Sequence, residues 1–149
     1  MPEEATTAED QSIDSPATTD NKIIVATGRR KTATARVRLI PGGSGLYKVN
    51  GRDLKDYCSY ESSIRTVLLP FKILELGEQF DMVACVKGSG PESQAGAIAH
   101  GLARALEKYN PDWRLPLKRR GCLKRDPRER ERKKPGRPGA RKRFQFSKR

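Results

Sequence analysis

The residues of this chain best suited to chemistry are clustered cations, and the chemistry they suit is phosphate binding. Gly28-Arg29-Arg30-Lys31 places three adjacent cations after a glycine, and Arg36 and Arg38 follow shortly afterwards. A guanidinium group can hold phosphate oxygens with two parallel hydrogen bonds, and a glycine lets the backbone approach a ligand closely. In a generic protein the same cluster would be the solvated end of a strand, so the rest of the chain must decide between these interpretations.

The charge of the chain is unevenly distributed, and this favours a polyanionic partner. The net charge is +13, yet residues 1–20 contain six acids and no Lys or Arg, whereas residues 114–149 hold seventeen Lys or Arg against three acids. A run of like charge repels itself and needs a polyanion to become ordered. Nucleic acid is the first candidate and an anionic membrane surface the second. The basic C-terminal segment therefore favours RNA binding for the Gly28–Lys31 cluster.

A second candidate phosphate-binding segment is Lys87-Gly88-Ser89-Gly90, which precedes a predicted helix with Ser93 as its N-cap. The free N–H groups and the positive dipole end of a helix N-terminus attract phosphate. The segment lacks both the Walker spacing and the complete GxGxxG pattern. A flexible strand-to-helix turn, a nucleotide site and a site for an RNA backbone phosphate therefore all stay open.

His100 is the only histidine of the chain and shares a helix face with Arg104. Because no nucleophile motif accompanies it, no Ser-His-Asp site can be assembled and we expect no catalytic residue. A surface or RNA-facing histidine is the expected role. Gly96 and Gly101 weaken the same helix, which indicates close approach by a strand or by RNA.

The cysteines and the N-terminal sequence predict the cellular compartment of the protein. Cys58, Cys85 and Cys122 form no CxxC pair, which predicts free thiols in a reducing compartment and no disulfide or zinc site. No apolar run reaches the ~18–20 residues of a membrane span. The N-terminus lacks the apolar segment of a secretory signal and is acidic where a transit peptide is Arg-rich. We expect a cytoplasmic protein with no metal, cofactor, membrane partner or small-molecule substrate.

Strand patterns dominate the first part of the chain. Ile23–Ala26 is short and β-prone, and Thr32–Ile40 alternates, with its small and aliphatic residues on one side and its arginines on the other. After a turn at 41–45, Leu46–Val49 resumes as a strand, which predicts a hairpin with the strand before it. Asn50-Gly51 marks a further turn.

Helical patterns follow, interrupted by one more strand. Helices are predicted at 52–58, 61–76, 93–109 and 114–125. Pro70 should bend or split the second helix, and Gly77 is expected to be its C-cap. Phe80–Lys87 alternates again and predicts a strand. Asn110-Pro111 ends the third helix.

The order of these elements predicts an α+β fold, a two-layer domain with helices on one face of a sheet, spanning residues 22–112. Residues 1–21 are expected to be a disordered acidic extension. Residues 113–149 are expected to form a basic helix and an extended tail that cannot fold without its partner. Residues 130–149 would reach roughly 65 Å if extended. Phe144 and Phe146 lie among the charges of the tail, where aromatic rings can stack on bases.

Five blocks resemble, in order, the S-nine family of small-ribosomal-subunit proteins of the bacterial type. They lie within Thr27–Val37, Val86–Gly90, Gln94–Leu106, Arg125–Lys134 and Gln145–Arg149. The resemblance implies a fold like the second domain of a ribosomal S-five protein, with a left-handed βαβ crossover that would be an exception to the right-handed rule. It also implies a place in the head of the small subunit. The chain departs from the family in the acidic residues 1–21 and in the Pro/Gly-rich residues 135–140.

The partners implied by the resemblance are small-subunit ribosomal RNA, P-site transfer RNA and neighbouring proteins of the subunit head. Ser147, Lys148 and Arg149 are expected to contact the transfer RNA, because the family's tail threads through the RNA towards the P site. The residues expected to bind ribosomal RNA are Arg29, Arg30, Lys31, Arg36, Arg38, Lys87, Gly88, His100, Arg104, Lys118, Arg119, Arg120, Arg125, Arg128, Arg132, Lys133, Lys134, Arg141, Lys142 and Arg143.

Two other functions deserve comparison with a ribosomal one. A phosphotransfer enzyme would use the Gly88-Ser89-Gly90 loop, but the sequence offers no recognisable Mg²⁺ carboxylates and no catalytic base. A free-standing DNA-binding protein would also account for the basic charge.

Overall fold

The computed structural model describes residues 22–147. The predicted acidic extension 1–21 and the terminal Lys148 and Arg149 lie outside the described residues. The elements are, in chain order, β1 (Ile24–Arg30), β2 (Ala33–Pro41), β3 (Tyr47–Val49), β4 (Arg52–Asp53), α1 (Leu54–Tyr57), α2 (Glu61–Ile73), β5 (Phe80–Lys87), α3 (Pro91–Tyr109), a 3-10 turn (Pro111–Trp113) and α4 (Arg114–Arg119). The predicted mixed α+β class is confirmed. No helix within residues 22–147 is both long and apolar enough to cross a membrane.

The strands form one open sheet in the order β1-β2-β5-β3-β4, with β3 and β5 parallel and the other neighbours antiparallel. The predicted hairpin between β2 and β3 is wrong, because β5 lies between them. The loop after β2 docks on the start of β5, where the Asp81 carboxylate accepts hydrogen bonds from the backbone N–H groups of Ser44 and Leu46 at 2.9 and 2.8 Å. The loop therefore passes across the end of β5 and delivers β3 to its far side.

Two other hairpins organise the sheet. β1 pairs with β2 through a tight turn at Lys31-Thr32. β3 pairs with β4 through the predicted turn at Asn50-Gly51, whose φ angles are +49° and +81°. Positive φ at both central residues suits the two-residue hairpin turns that match strand twist. The Asn50 side chain also bridges to β5, since its amide donates to the Val86 carbonyl and its oxygen accepts from the Val86 N–H.

The core lies between the sheet and the helices, as the alternation predicts. The residues of β2 and β5 assigned to the inner face are buried: Ala33, Ala35, Val37, Leu39, Phe80, Met82, Ala84 and Val86. The stripe predicted on α3 is buried with them: Ala95, Ile98, Leu102, Ala105 and Leu106. Helix α3 lies across β1 and β2, and α2 packs beside α3.

Strand β1 and helix α3 approach each other closely at Gly28 and Gly101. A Cβ atom added to Gly28 would lie 2.0 Å from the carbonyl oxygen of Ala97 and 2.2 Å from the nitrogen of Gly101. The glycine of the Gly28–Lys31 cluster therefore faces α3 and serves packing. Of the two explanations open for Gly101, close approach by a strand is the one that the structure shows.

Several predicted helix ends differ in the structure. Helix α2 continues through the buried Pro70 without splitting. It ends at Ile73, with Leu74 as its C-cap. Glu75 follows with a φ of +53° and the Leu76 N–H donates to the Phe71 carbonyl, so Glu75 closes the helix, and Gly77, with a φ of +54°, lies two residues beyond it. Helix α3 begins at Pro91 with Gly90 as its N-cap, so the predicted Ser93 cap is wrong. A proline at the first helical position suits this start.

The predicted helix 114–125 is shorter than expected. Helix α4 ends after Arg119 because Gly121, at a φ of +75°, closes its C-terminus: the Gly121 N–H donates to Lys118 and the Cys122 N–H donates to the Leu117 carbonyl. Leu117 is fully buried in the core, and Leu123 packs against that core. The core thus includes a residue beyond position 112, and the chain leaves it at the turn 120–123.

Candidate nucleic-acid interface

The first group of predicted site residues surrounds a cavity of about 180 Å³ between the end of β1, helices α2 and α3, and the segment after α4. Its charged lining comes from two distant parts of the sequence and consists of Arg29, Arg30, Arg120, Lys124, Arg125 and Asp126, and His100 of α3 also lines it. The fold therefore brings together cations that are about ninety residues apart in the chain. The cavity is open to solvent and positively charged.

Arg30 anchors this cavity from the side of the sheet. Its side chain runs over Gly96, where an added Cβ would lie 2.5 Å from the Arg30 Cδ. This explains the predicted close approach at Gly96, since the neighbour is a side chain of β1. The Arg30 guanidinium lies 3.6 Å from the Asp126 carboxylate, and its Nε is buried with no hydrogen-bond partner among the described residues.

Asp126 and its neighbours fix the first residues of the tail. The Asp126 carboxylate accepts hydrogen bonds from the Arg128 guanidinium and from the Arg128 backbone N–H. These bonds, together with the nearby Arg30 charge, lower the pKa of Asp126 to about 2. Arg125 donates to the Lys31 carbonyl at 3.4 Å and to Glu129. The tail therefore leaves the domain beside the β1–β2 turn, which brings Lys31 close to the cavity.

His100 and Arg104 lie along the free edge of β1. The Arg29 backbone N–H donates to His100 Nδ1 at 3.2 Å, Arg104 donates to the Thr27 carbonyl, and Lys108 donates to the Val25 carbonyl at 2.9 Å. Side chains at four-residue intervals on α3 thus satisfy edge groups of the strand that would otherwise be unpaired. The structure places His100 and Arg104 at this edge, and Lys108 is a third member of the row that the sequence analysis missed.

The environment of His100 favours its neutral form. Burial lowers the pKa of its imidazole, and the charges of Arg104 and Arg125 lower it as well. A neutral imidazole can accept the Arg29 N–H at Nδ1, whereas an imidazolium cannot. The histidine therefore acts as a hydrogen-bond acceptor for the strand edge near neutral pH.

The loop Lys87–Gly90 is shaped by packing. Gly88 has a φ of +84°, and a Cβ at this position would lie 2.6 Å from the Thr32 carbonyl oxygen. The Gly88 carbonyl accepts a hydrogen bond from the Gln94 side chain, which in turn accepts one from the Tyr57 hydroxyl. The glycine is thus required by the β1–β2 turn. Lys87 is exposed and lies on the other face of the sheet with Arg36 and Arg38.

The tail cations are partly paired with the three acids interleaved among them. Arg125 pairs with Glu129, Arg128 with Asp126, and both Lys134 and Arg141 with Glu131. The two bonds to Glu131 lower the pKa of that carboxyl group. They also bring residues 131 and 141 together, so the Pro/Gly-rich stretch 135–140 forms a loop in the chain without RNA.

The remaining predicted residues are exposed. Lys118, Arg119 and Arg120 lie on and after α4, and Arg132, Lys133, Lys142, Arg143 and Ser147 lie in the irregular tail. Phe144 and Phe146 are 68% and 96% exposed, unusual values for large apolar side chains.

The sequence analysis did not single out three cations that the structure places near these surfaces, namely Lys48, Lys108 and Lys124. Lys48 could have been found from its outward position in the β3 pattern.

Within residues 22–147 there is no group of three or more His, Cys, Asp or Glu side chains that could hold a metal ion. The described cysteines are reduced: Cys58 is buried, Cys85 exposed and Cys122 half-buried. The arrangement is suited to holding many phosphates at once rather than to transforming a bound molecule.

Comparison with known proteins agrees with this assessment. The chain matches the family described as ribosomal protein S9/S16 over residues 28–149. It is 54% identical to small ribosomal subunit protein uS9 of Sorangium cellulosum over 124 residues, which cover 83% of this chain and 95% of the relative. It is 50% identical to the uS9 proteins of an Anaeromyxobacter strain and of Methylacidiphilum infernorum, over 82% and 87% of this chain and 93% and 94% of each relative.

The family settles the choice between the functions considered above. It is a structural, non-enzymatic family of the ribosome, which in bacteria is a cytoplasmic particle, so the expectations of a non-enzyme and of a cytoplasmic location are confirmed. The phosphotransfer alternative is not retained. The five sequence blocks, the mixed α+β fold and these relatives agree: the chain belongs to the ribosomal protein S9/S16 family.

Proposed function

We propose that this chain is a structural constituent of the small-subunit head that binds ribosomal RNA and reaches P-site transfer RNA with its C-terminal tip. The observation that carries the proposal is the tail itself. Residues 124–147 form no regular secondary structure and contain eleven Lys or Arg against three acids, most of them exposed. A segment of this composition becomes ordered when it binds a polyanion. Because the chain belongs to a ribosomal protein family, we propose that this polyanion is ribosomal RNA.

The mechanism of RNA binding is charge neutralisation at phosphates. Each contact between a cation and a phosphate releases condensed counterions, so binding should weaken steeply as salt rises. The folded domain, proposed to span residues 22–112, would dock as a rigid body with α4 already seated on it through Leu117. The part of the predicted tail 113–149 that lies beyond α4 would then order along the RNA. The crossover from β3 through α1 and α2 to β5 is proposed to be left-handed, as the family resemblance implies.

Several of the predicted site residues fit this mechanism directly. The cations that line the cavity at the end of β1 include Arg29, Arg120 and Arg125. They converge on one opening, and its size suits a phosphate group. We propose this opening as a point where the ribosomal RNA backbone enters the contact between the domain and the tail.

The tip of the tail is proposed to contact P-site transfer RNA through Ser147, Lys148 and Arg149. Contacts to phosphate position a ligand without reading its sequence, and a P site must accept many transfer RNAs. Phe144 and Phe146 precede the tip and are exposed, so they could anchor it by stacking on ribosomal RNA bases. Neighbouring head proteins are the third class of proposed partner.

Deletion of Ser147–Arg149 tests the role of the tip. The truncated chain should enter small subunits normally, because the domain and the basic segment 114–143 remain, but the subunits should bind P-site transfer RNA more weakly. The loss of two phosphate contacts corresponds to roughly ten-fold or more at moderate salt. Co-sedimentation with small subunits in a sucrose gradient checks assembly, and filter binding measures transfer RNA affinity. Unchanged affinity would refute the role of the tip, whereas failure of the intact chain to sediment with subunits would refute the ribosomal proposal.

A further inference from the structure

The face of the sheet opposite α3 carries cations that have no partner among the described residues. This open face is the surface formed by the exposed outward side chains of β2, β3 and β5, namely Thr34, Arg36, Arg38, Lys48, Cys85 and Lys87. A shallow recess of about 380 Å³ lies among the members from β2 and β5. No ion pair among the described residues involves any of the four cations.

The acids nearest to these cations are committed elsewhere or too far away. The Asp81 carboxylate at the start of β5 accepts backbone N–H groups from the loop after β2. Asp53 lies opposite Lys48 at the far edge of the sheet. Arg36 and Arg38 are flanked across the strands by neutral residues on both sides. The described part of the chain therefore supplies no counter-charge for the two arginines.

Such a counter-charge exists in the N-terminal segment 1–20, which contains six acids and no Lys or Arg. The family match begins at residue 28, so this segment lies outside the part of the chain that the family shares. Because its side chains carry only negative charge, RNA phosphate repels it. A positively charged surface is the partner that its composition suits.

The segment joins the domain beside the open face. It precedes β1, and Val25 of β1 lies opposite Arg38, so Arg38 is roughly 10 Å along the strand from Lys22. The basic tail leaves the domain at the other end of β1, where Arg30 lies 3.6 Å from Asp126. That end is roughly 27 Å from Lys22. The unpaired arginines of the open face are therefore closer to the segment than the start of the tail is.

The free edge of β1 is not available to the segment as a strand partner. Lys108 donates to the Val25 carbonyl and Arg104 donates to the Thr27 carbonyl, so α3 already satisfies edge groups with which an added strand would pair. The open face has no such cover from the described residues. It is thus the surface on which the segment can dock without displacing a contact of the fold.

Resting on the proposed function, we infer that residues 1–20 fold back over the open face of the free protein and occupy its cations in competition with RNA. If the chain reverses within the four residues before Lys22, Asp14 lies level with Arg38 and Asp10 lies level with Lys87. The acids of the segment thus have a spacing that matches the cations of the face.

The tether decides the strength of this contact. A site joined to its ligand by a short stretch of chain meets it at an effective concentration on the order of millimolar, so a weak ionic contact is largely occupied. RNA offers many phosphates on one molecule, and each contact releases counterions, so ribosomal RNA displaces the segment. The segment therefore weakens binding to short or unrelated RNA more than binding to ribosomal RNA.

Zero-length cross-linking locates the segment in the free, full-length chain. A carbodiimide joins a carboxylate to an amine that it contacts, and the amines of the open face are Lys48 and Lys87. At about 0.05 M salt, where charges are weakly screened, mass spectrometry should find Glu9, Asp10 or Asp14 joined to one of these lysines. Cross-links to the lysines of the tail in their place would overturn the inference. So would cross-links to the open face that persist when ribosomal RNA is saturating.

The second measurement compares two variants whose net charge rises equally. One neutralises three acids of the segment: Glu9→Gln/Asp10→Asn/Asp14→Asn. The matched control neutralises three exposed acids of the domain that make no ion pair among the described residues: Glu75→Gln/Glu92→Gln/Asp112→Asn. Circular dichroism verifies that both variants are folded.

Affinity for a short poly-uridine RNA at about 0.05 M salt should rise roughly five-fold or more in the segment variant, because a face that is free about a fifth of the time weakens binding by that factor. The control should gain about two-fold or less, and the difference should vanish at about 0.5 M salt, where surface charges are screened.

The outcomes separate this inference from the proposed function. Equal gains in the two variants would mean that net charge alone governs the affinity, which overturns the inference although the chain still binds RNA. If the intact chain fails to bind ribosomal RNA and to enter small subunits, the proposed function itself fails. A gain confined to the segment variant, together with cross-links to Lys48 or Lys87, supports the inference.

Discussion

Replacing Gly28 with alanine should force β1 away from α3, and the structure gives the size of the effect. The new Cβ would lie 2.0 Å from the Ala97 carbonyl oxygen and 2.2 Å from the Gly101 nitrogen. A carbon and a carbonyl oxygen approach no closer than about 3.3 Å in proteins, so strand and helix must separate by roughly 1 Å. Both obstructing atoms belong to the backbone of α3, so no side chain can rotate to make room.

A gap of this size removes a quarter to a half of the dispersion energy of each contact across it. The contacts at risk include those of Ala26, Val37 and Ile98, all of which are buried. We therefore expect Gly28→Ala to lower the free energy of unfolding by about 3 kcal/mol or more, the upper end of the range for overpacked cores. That loss corresponds to a fall in melting temperature of roughly 10 °C or more.

The measurement is urea or thermal denaturation of the full chain followed by far-ultraviolet circular dichroism. Gly90→Ala is the matched control, because a Cβ at Gly90 meets no atom within 4 Å and its φ of −97° suits any residue. The control should cost less than about 1 kcal/mol, the usual effect of exchanging glycine for alanine at an N-cap. If Gly28→Ala is as stable as the control, β1 does not pack against α3 as described.

Two further predictions concern titration and the tail. Since burial lowers the pKa of His100 from its ordinary value of 6.5, the unfolded chain binds a proton at this site more readily than the folded chain does. The contribution of His100 to stability is therefore complete above pH 6.5 and is lost as pH falls below it. Denaturation at pH 7.5 and 5.5 should show this loss in the wild-type chain but much less of it in His100→Asn, and equal losses would contradict it. Glu131→Gln should release Lys134 and Arg141 and open the loop 131–141, so trypsin should cleave the bond after Arg141 faster than in Glu129→Gln, which frees only Arg125. Equal cleavage rates in the two variants would show that Glu131 does not close the loop.

The residues on the inner face of the sheet and the buried apolar stripe of α3 could be predicted from the sequence. Burial requires apolar residues to recur at the regular spacing of a strand or of a helix. Every second residue of Ala33–Leu39 meets the core, and a shift by one would turn Arg36 and Arg38 inward, at a large cost in desolvation. The partners of the strands could not be predicted in the same way. The place of β5 between β2 and β3 depends on Asp81 holding the loop after β2, a contact between residues more than thirty positions apart.

The helix ends show a second limit of prediction from sequence. Glycine is the usual residue at a left-handed helix terminus, which is why Gly77 is the natural choice for α2. The structure places Glu75 there with a φ of +53°, since the core needs Leu76 buried directly after the last turn. At α4 a glycine does hold the left-handed position, since Gly121 has a φ of +75°, although the predicted helix 114–125 ran past it.

The row formed by His100, Arg104 and Lys108 was only partly visible from the sequence. The four-residue spacing places these side chains on one face of α3, which is a local property. Their partners are backbone groups of β1 that lie 71, 77 and 83 residues away in the chain. Nothing local distinguishes a cation that faces RNA from one that satisfies a strand edge, so charge alone could not assign these roles.

The basic residues of this chain thus fall into three classes that net charge does not separate. Arg104 and Lys108 are committed to the edge of β1, and the tail acids Asp126, Glu129 and Glu131 hold Arg125, Arg128, Lys134 and Arg141. Phosphate must compete with an existing partner at each of these sites. Arg36, Arg38 and Lys87 carry no such partner in the described chain, so a phosphate contact there releases counterions without breaking an ion pair of the folded domain. The salt dependence of RNA binding should therefore reflect the unpaired cations most strongly, and in the folded domain these include Arg36, Arg38 and Lys87 on the face of the sheet opposite α3.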